Sequence, residues 1–204
     1  MLVKLPIPEI VLASTSPRRK LLLERIGLPH VVIPPIALEL VPKNGDCKLT
    51  ALRNARRKAE SVRALADGCA IIGVDTIVDL DGEPLGKPVD AADAVVKLTR
   101  LSGRDHFVHT AIFFQEDQKH LSYDIVETSL VRFRRLGSAE IEAYVATGEP
   151  LDKAGAYGIQ ERGAMLVERI EGCFFNVMGL PVARLWETIL VWMRERGTPL
   201  DGWS

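Results

Sequence analysis

Ile10-Val11-Leu12-Ala13-Ser14-Thr15-Ser16-Pro17-Arg18-Arg19-Lys20-Leu21-Leu22-Leu23-Glu24-Arg25-Ile26 is the stretch from which the fold is read. Ile10-Val11-Leu12 has the look of a buried strand, and residues 20–26 that of a helix with Leu21, Leu22 and Ile26 on one side. Ser16 suits the N-cap, and Pro17 falls at the first helical position, where its missing N–H does least harm. Arg18 and Arg19 then lie in the first turn, against the positive end of the helix dipole, at roughly a few tenths of a kcal/mol each or more. Two readings follow. Free backbone N–H groups, the dipole and two forked guanidiniums form an anion site, or both arginines point into solvent and the cost is tolerated.

The chain has 204 residues, 47% hydrophobic and 26% charged, which suits one domain, over 1–204, with a sizeable core. A net charge of −1 provides no basic field for nucleic acid or an anionic membrane. The apolar runs are short of a membrane span, and the N-terminus lacks the layout of a signal peptide. Cys47, Cys69 and Cys173 are odd in number and widely spaced, which points to the reducing cytoplasm rather than to a disulfide or metal framework. His106 and His109, three apart in an expected strand, fall on opposite faces and are read as structural.

Outward from the opening stretch, strands and helices interleave. A strand is expected at 31–33, ended by Pro34-Pro35, then a loop at 36–45. A helix follows at 48–66, with Thr50 as a cap. A strand at 70–74 leads to a hairpin of 77–80 about the turn signal Asp81-Gly82. Asp90 and Asp93 open a helix in capping-box fashion, and Gly103 closes it. Strands at 106–114 and 123–133, a short helix from Ser138, a glycine-rich loop at 149–160, a strand at 165–170 and a helix opened by Pro181 complete the chain. This alternation predicts an α/β protein with a central mixed sheet.

Four positions stand out chemically. Lys58 falls inside the apolar stripe Ala51, Leu52, Ala55, Ala59, Val62, Leu65 and Ala66, so it must snorkel, pair with a carboxylate or open into a cleft. Asp75 interrupts Ala70-Ile71-Ile72-Gly73-Val74 and Ile77-Val78. It is read as leaving one strand and entering the next element, either as a strand-end ligand site or as a capped turn. Lys87, between Gly86 and Pro88, sits in a stiff loop that is not a Walker A motif. The loop Asp152-Lys153-Ala154-Gly155-Ala156-Tyr157-Gly158-Ile159-Gln160 is able to approach a ligand closely, or to be a surface connection.

Taken together, Leu12 to Arg19, Gly73-Val74-Asp75-Thr76, Leu85-Gly86-Lys87-Pro88, Leu101-Ser102-Gly103-Arg104, Thr147-Gly148-Glu149-Pro150 with Asp152 to Gln160, and Asn176 to Pro181 resemble the Maf family of nucleoside triphosphate pyrophosphatases. The resemblance implies a fold like that of the inosine-triphosphate pyrophosphatases, a long central mixed sheet flanked by helices with two lobes around a cleft. It implies hydrolysis of a nucleoside triphosphate to the monophosphate and pyrophosphate with a divalent cation, Mg²⁺ or alternatively Mn²⁺ or Co²⁺. By position, Asp75 matches the catalytic acidic residue. Ser14, Arg18, Arg19, Lys58 and Lys87 match the phosphate-site residues, and Glu39 matches a loop glutamate implicated with Asp75 in metal binding. Arg18, Thr76 and Gln160 match positions tied to substrate choice.

Asp75-Thr76 and Ala156 to Gln160 look like the branch acting on dTTP and UTP rather than the one acting on 7-methyl-GTP. Two positions depart from the family pattern: Leu38 where a second acidic residue often precedes Glu39, and Glu161 where glycine often follows Gln160. The resemblance also carries the alternative of a nucleotide-sensing regulator linked to septum formation, and a homodimer as an assembly state.

Overall fold

The computed structural model describes residues 7–43, 45–118 and 120–198. The N-terminal residues read for a leader, and the ends of the domain expected over 1–204, lie outside that set. The elements are β1 (Ile10–Ala13), α1 (Pro17–Arg25), β2 (His30–Val32), α2 (Cys47–Val62), β3 (Ala70–Leu80), β4 (Glu83–Leu85), α3 (Ala91–Leu101), β5 (Asp105–Glu116), β6 (Leu121–Phe133), α4 (Ser138–Val145), β7 (Val167–Glu171), α5 (Phe174–Met178) and α6 (Val182–Glu195). The strands form one mixed sheet of seven in the order β2-β1-β3-β5-β6-β7, with β4 paired to the far end of β3. β2, β1 and β3 run parallel, and β3, β5, β6 and β7 antiparallel. Among the described residues no helix is long and apolar enough to cross a membrane.

Strand alternation divides the core. Val11, Ala13, Ile71 and Ile77 face α2, while Ile10, Leu12, Ile72, Val74 and Val78 face the larger layer that includes Leu98, Leu185 and Trp192. On α2, Ala51, Ala55 and Ala59 are fully buried, and Gly73 lets the helix backbone touch the sheet. A Cβ on Gly73 would lie 2.0 Å from the Ala55 carbonyl oxygen and 2.9 Å from Ala59.

The expected α/β architecture holds, with local corrections. β3 is continuous from Ala70 to Leu80, so Asp75 lies within a strand and not at its end. The polar residue does not break the strand because donors on α2 satisfy it. In α1 the buried residues are Arg19, Leu22 and Leu23, and Leu21, expected on the inner side, is exposed. α2 begins one residue earlier than expected, with Asp46 rather than Thr50 at the N-cap position; the Asp46 carboxylate accepts from Lys43 N and from the Thr50 hydroxyl and makes no bond to the helix amides. It ends at Val62, where a 3₁₀ turn over Arg63–Leu65 leaves Leu65 exposed. Gly137 rather than Ser138 caps α4, and the short helix α5 was not expected. The Asp81-Gly82 turn is present with both residues at positive φ, as the hairpin requires. His106 and His109 are buried on opposite faces of β5, the first against the Tyr157 hydroxyl and the second against Asp79 and Thr128.

Candidate active site

β1 pairs with β3 only as far as Ala13↔Gly73, and β4 joins β3 only from Val78↔Leu85. Between those pairings that edge of β3 has no strand partner among the described residues. The gap opens both faces of the sheet at Val74 to Ile77. A cleft of about 700 Å³ lies over it. All nine residues singled out from the sequence, Ser14, Arg18, Arg19, Glu39, Lys58, Asp75, Thr76, Lys87 and Gln160, line this cleft. The gap explains how Asp75 and Thr76, neighbours with opposite orientation on one strand, reach the same space.

Asp75 is buried, and each of its oxygens has a donor. Lys58 Nζ is 2.5 Å from Oδ1, and Asn54 Nδ2 is 3.1 Å from Oδ2. Asn54 and Lys58 stand one turn apart on α2, so a single helix face delivers both donors. Lys58 Nζ also lies 2.6 Å from Glu39 Oε1, which brings the 33–46 loop to the same point. Of the three outcomes open to Lys58, it takes two together: it pairs with carboxylates and it opens onto the cleft. Burial acts to raise the Glu39 carboxyl. Lys58, with Lys87 and Arg19 beyond it, outweighs burial and holds the group below the usual glutamate range.

The two arginines behave differently. Arg19 is buried and donates to Gly179 O at 2.9 Å, Ser14 Oγ at 2.9 Å, Val74 O at 3.0 Å and Thr76 Oγ1 at 3.0 Å. A guanidinium has five N–H donors, so one is left for a ligand. Burial lowers its pKa to about 10, an effect Asp75 offsets, and the group stays charged at neutral pH. Among the described residues Arg18 is held only by Asp152, at 3.3 Å. Lys87 makes no hydrogen bond or ion pair among the described residues and is exposed at the cleft. Ser14 Oγ accepts from Arg19 and from Ser16 N, so its own proton is available. Ser16 makes no side-chain cap, and the first turn of α1 holds no acidic residue. The amides of that turn therefore face the cleft without a competing anion.

Thr76 sits in a directed chain. The Thr110 hydroxyl donates to Asn176 O at 3.0 Å, so the 3.0 Å contact between Thr76 and Thr110 must run from the Thr76 proton. With Arg19 donating to it as well, Thr76 has only acceptor capacity left for a ligand. Gln160 is half-buried, and its amide makes no hydrogen bond among the described residues, so both donor and acceptor are free.

Sequence reasoning missed Asn54, and it took Asp152 and Lys153 only as part of a loop able to approach a ligand, with no role of their own. Lys153 is buried and bonds to Glu149 O and Asp152 Oδ1, each at 2.7 Å, while Glu161, one of the two departures from the family pattern, lies 3.9 Å from it. Asn54 carried a usable signal, a polar residue four before Lys58 on the same helix face.

Asp75 and Glu39 bring carboxylates to one point beside the cations that line the cleft. Mg²⁺ is commonly held by one or two carboxylates together with substrate phosphates, so this donor set fits a divalent cation that arrives with a triphosphate. Among the described residues no group of three or more His, Cys, Asp or Glu forms a self-sufficient metal site.

The family model described as Maf-like protein matches residues 9–191. Proteins named dTTP/UTP pyrophosphatase are similar over nearly the whole chain. The one from Carboxydothermus hydrogenoformans is 45% identical over 90% of this chain and 98% of its own. That from Thermus thermophilus is 46% identical over 92% and 95%, and that from Aquifex aeolicus 46% over 88% and 93%. Protein VC0702 from Vibrio cholerae aligns over 70% of this chain and 78% of its own with 12% identity and a TM-score of 0.33, too slight a likeness to argue from.

Proposed function

Because the chain belongs to the Maf-like protein family, we propose that it hydrolyses dTTP and UTP to the monophosphates and pyrophosphate, a house-cleaning reaction on the nucleotide pool. The relatives named for that activity support the substrate class. The observation that carries the chemistry is the placement of Asp75, a buried carboxylate at the open edge of β3 with donors on both oxygens, in the wall of a cleft lined by cations.

In this reading the phosphates lie against Arg18, Lys58, Lys87, the Ser14 hydroxyl and the first-turn amides of α1. Arg19 contributes its one remaining N–H and otherwise braces the site. Asp75 takes a proton from a water as that water attacks the α-phosphorus. The bond to the bridging oxygen breaks, and its electron pair leaves with pyrophosphate, whose charge the cations hold. General-base assistance of this kind is worth about 10²–10⁴ in rate. A divalent cation, Mg²⁺ in this reading, would be held by Asp75 and Glu39 and would neutralise phosphate charge. Thymine and uracil present an N–H between two carbonyl oxygens. Thr76, able only to accept, and Gln160, able to do both, suit such an edge.

We read residues 1–204 as one domain of two lobes about the cleft; the single sheet behind the site supports one domain. We place it in the cytoplasm, a reading supported by three unpaired cysteines. The test is to incubate the protein with Mg²⁺ and a panel of canonical and modified triphosphates and identify the products. Pyrophosphate from dTTP and UTP is expected, whereas orthophosphate alone means that a different bond is cut.

A further inference from the structure

Asn54 is buried at 3% exposure, and its amide makes three hydrogen bonds. Oδ1 accepts from Leu40 N at 2.7 Å, Nδ2 donates to Leu40 O at 3.0 Å, and Nδ2 also donates to Asp75 Oδ2 at 3.1 Å. The orientation of the amide is forced, because a flip would set its oxygen against both a carboxylate and a carbonyl. Leu40 belongs to the 33–46 segment, which has no helix or strand of its own among the described residues. One side chain therefore treats Leu40 as a neighbouring strand would, satisfying its N–H and its C=O. Glu39 is the adjacent residue, and its carboxylate meets Lys58, which bonds the other oxygen of Asp75. Asn54, Asp75, Lys58, Glu39 and Leu40 thus close a ring.

We propose that Asn54 is a positioning residue for the reaction: it fixes the rotation of the Asp75 carboxylate and locks the Glu39 loop to it, so that both acids keep one arrangement while the nucleotide enters. A hydrogen bond to Asp75 from Lys58 alone leaves the carboxylate free to pivot about that contact. The second donor removes the freedom, and the same amide prevents the loop from carrying Glu39 away. The proposal rests on the hydrolase reading above, with Asp75 as the base.

The experiment compares the full chain with Asn54→Leu and Asn54→Asp, measuring steady-state dTTP hydrolysis with Mg²⁺ and amide hydrogen exchange over residues 36–43. Asn54→Leu keeps the approximate shape and removes all three bonds. Losing a hydrogen bond to a charged group should lower kcat by about 10-fold or more, while KM stays within about threefold of the parent because no phosphate contact is touched. Exchange at Leu40 should accelerate by about 10-fold or more. Asn54→Asp keeps an acceptor for the Leu40 N–H but loses both Nδ2 bonds, to Leu40 O and to Asp75, and sets an oxygen against each, so it should lose kcat at least as far as Asn54→Leu while Leu40 N–H keeps part of its protection. It carries the test if Asn54→Leu does not fold. A folded variant with kcat within about twofold of the parent, or a loss carried by KM alone, overturns the proposal. A parent that releases no pyrophosphate overturns the hydrolase reading itself. A parent that does so, beside variants of parental kcat, overturns the role of Asn54 alone.

Discussion

Asp75→Asn should separate chemistry from binding, and the structure sets the size of both effects. The native carboxylate offers an acceptor to each of two fixed donors, Lys58 on one oxygen and Asn54 on the other. The substituted amide has one acceptor and one donor group. Asn54 is unable to turn over to meet it, since Leu40 holds both ends of its amide. One of the two contacts is therefore lost, which costs about 1–3 kcal/mol and roughly 3–10 °C in Tm for a chain of this size. The fold survives. Removing the general base should lower kcat for dTTP by about 10²–10⁴. With Mg²⁺ withheld, so that the loss of a metal ligand does not enter, removing a negative charge from a cleft that binds a polyanion should leave affinity equal or tighter. Pyrophosphate release gives the first number, and calorimetric titration with a non-hydrolysable dTTP analogue gives the second. A folded variant with near-parental kcat would refute the assignment of Asp75, and a variant that no longer binds the analogue would refute the division of labour between Asp75 and the cations.

Gly73→Ala should cost about 3 kcal/mol or more, because the new methyl group meets the Ala55 carbonyl and forces α2 off β3. Urea unfolding measures the loss, and dTTP turnover should vanish as Asn54 and Lys58 leave Asp75. Gln160→Ala should lower kcat/KM for dTTP and UTP more than for a poor purine substrate, since it removes the free amide that suits a pyrimidine edge. Burial lowers the folded pKa of His106 to about 4, with Asp105 opposing. The unfolded chain, titrating near 6.5, then binds a proton that the native chain refuses between those values. Stability should fall by about 3 kcal/mol as pH drops through that window. His106→Gln should flatten that part of the Tm–pH curve.

Much of the lining of the cleft was legible because its parts are short motifs at fixed spacing, and Ser14 to Arg19, Asp75-Thr76, Lys87 and Gln160 all reach it. The opening anomaly resolved unequally. Arg18 remains available to a ligand, while Arg19 turns inward and holds Gly179, Val74, Ser14 and Thr76 together. Charge and position alone do not reveal that difference, which depends on carbonyls brought in from distant segments. The continuity of β3 was hidden for a similar reason. A carboxylate in a strand looks like a break until the helix that neutralises it is packed alongside, and the close approach of that helix depends on Gly73 meeting the alanines of α2. Asn54 shares a helix face with Lys58, which the sequence shows, but its role depends on Leu40 and Asp75, brought to it from other segments of the chain.

In the proposed reaction, water attacks the α-phosphorus of dTTP in this cleft. Hydrolysis in ¹⁸O-labelled water, followed by mass spectrometry of the products, tests it most directly. One labelled oxygen in thymidine monophosphate and none in pyrophosphate is the expected result. Label in pyrophosphate, or release of labelled orthophosphate, would contradict it.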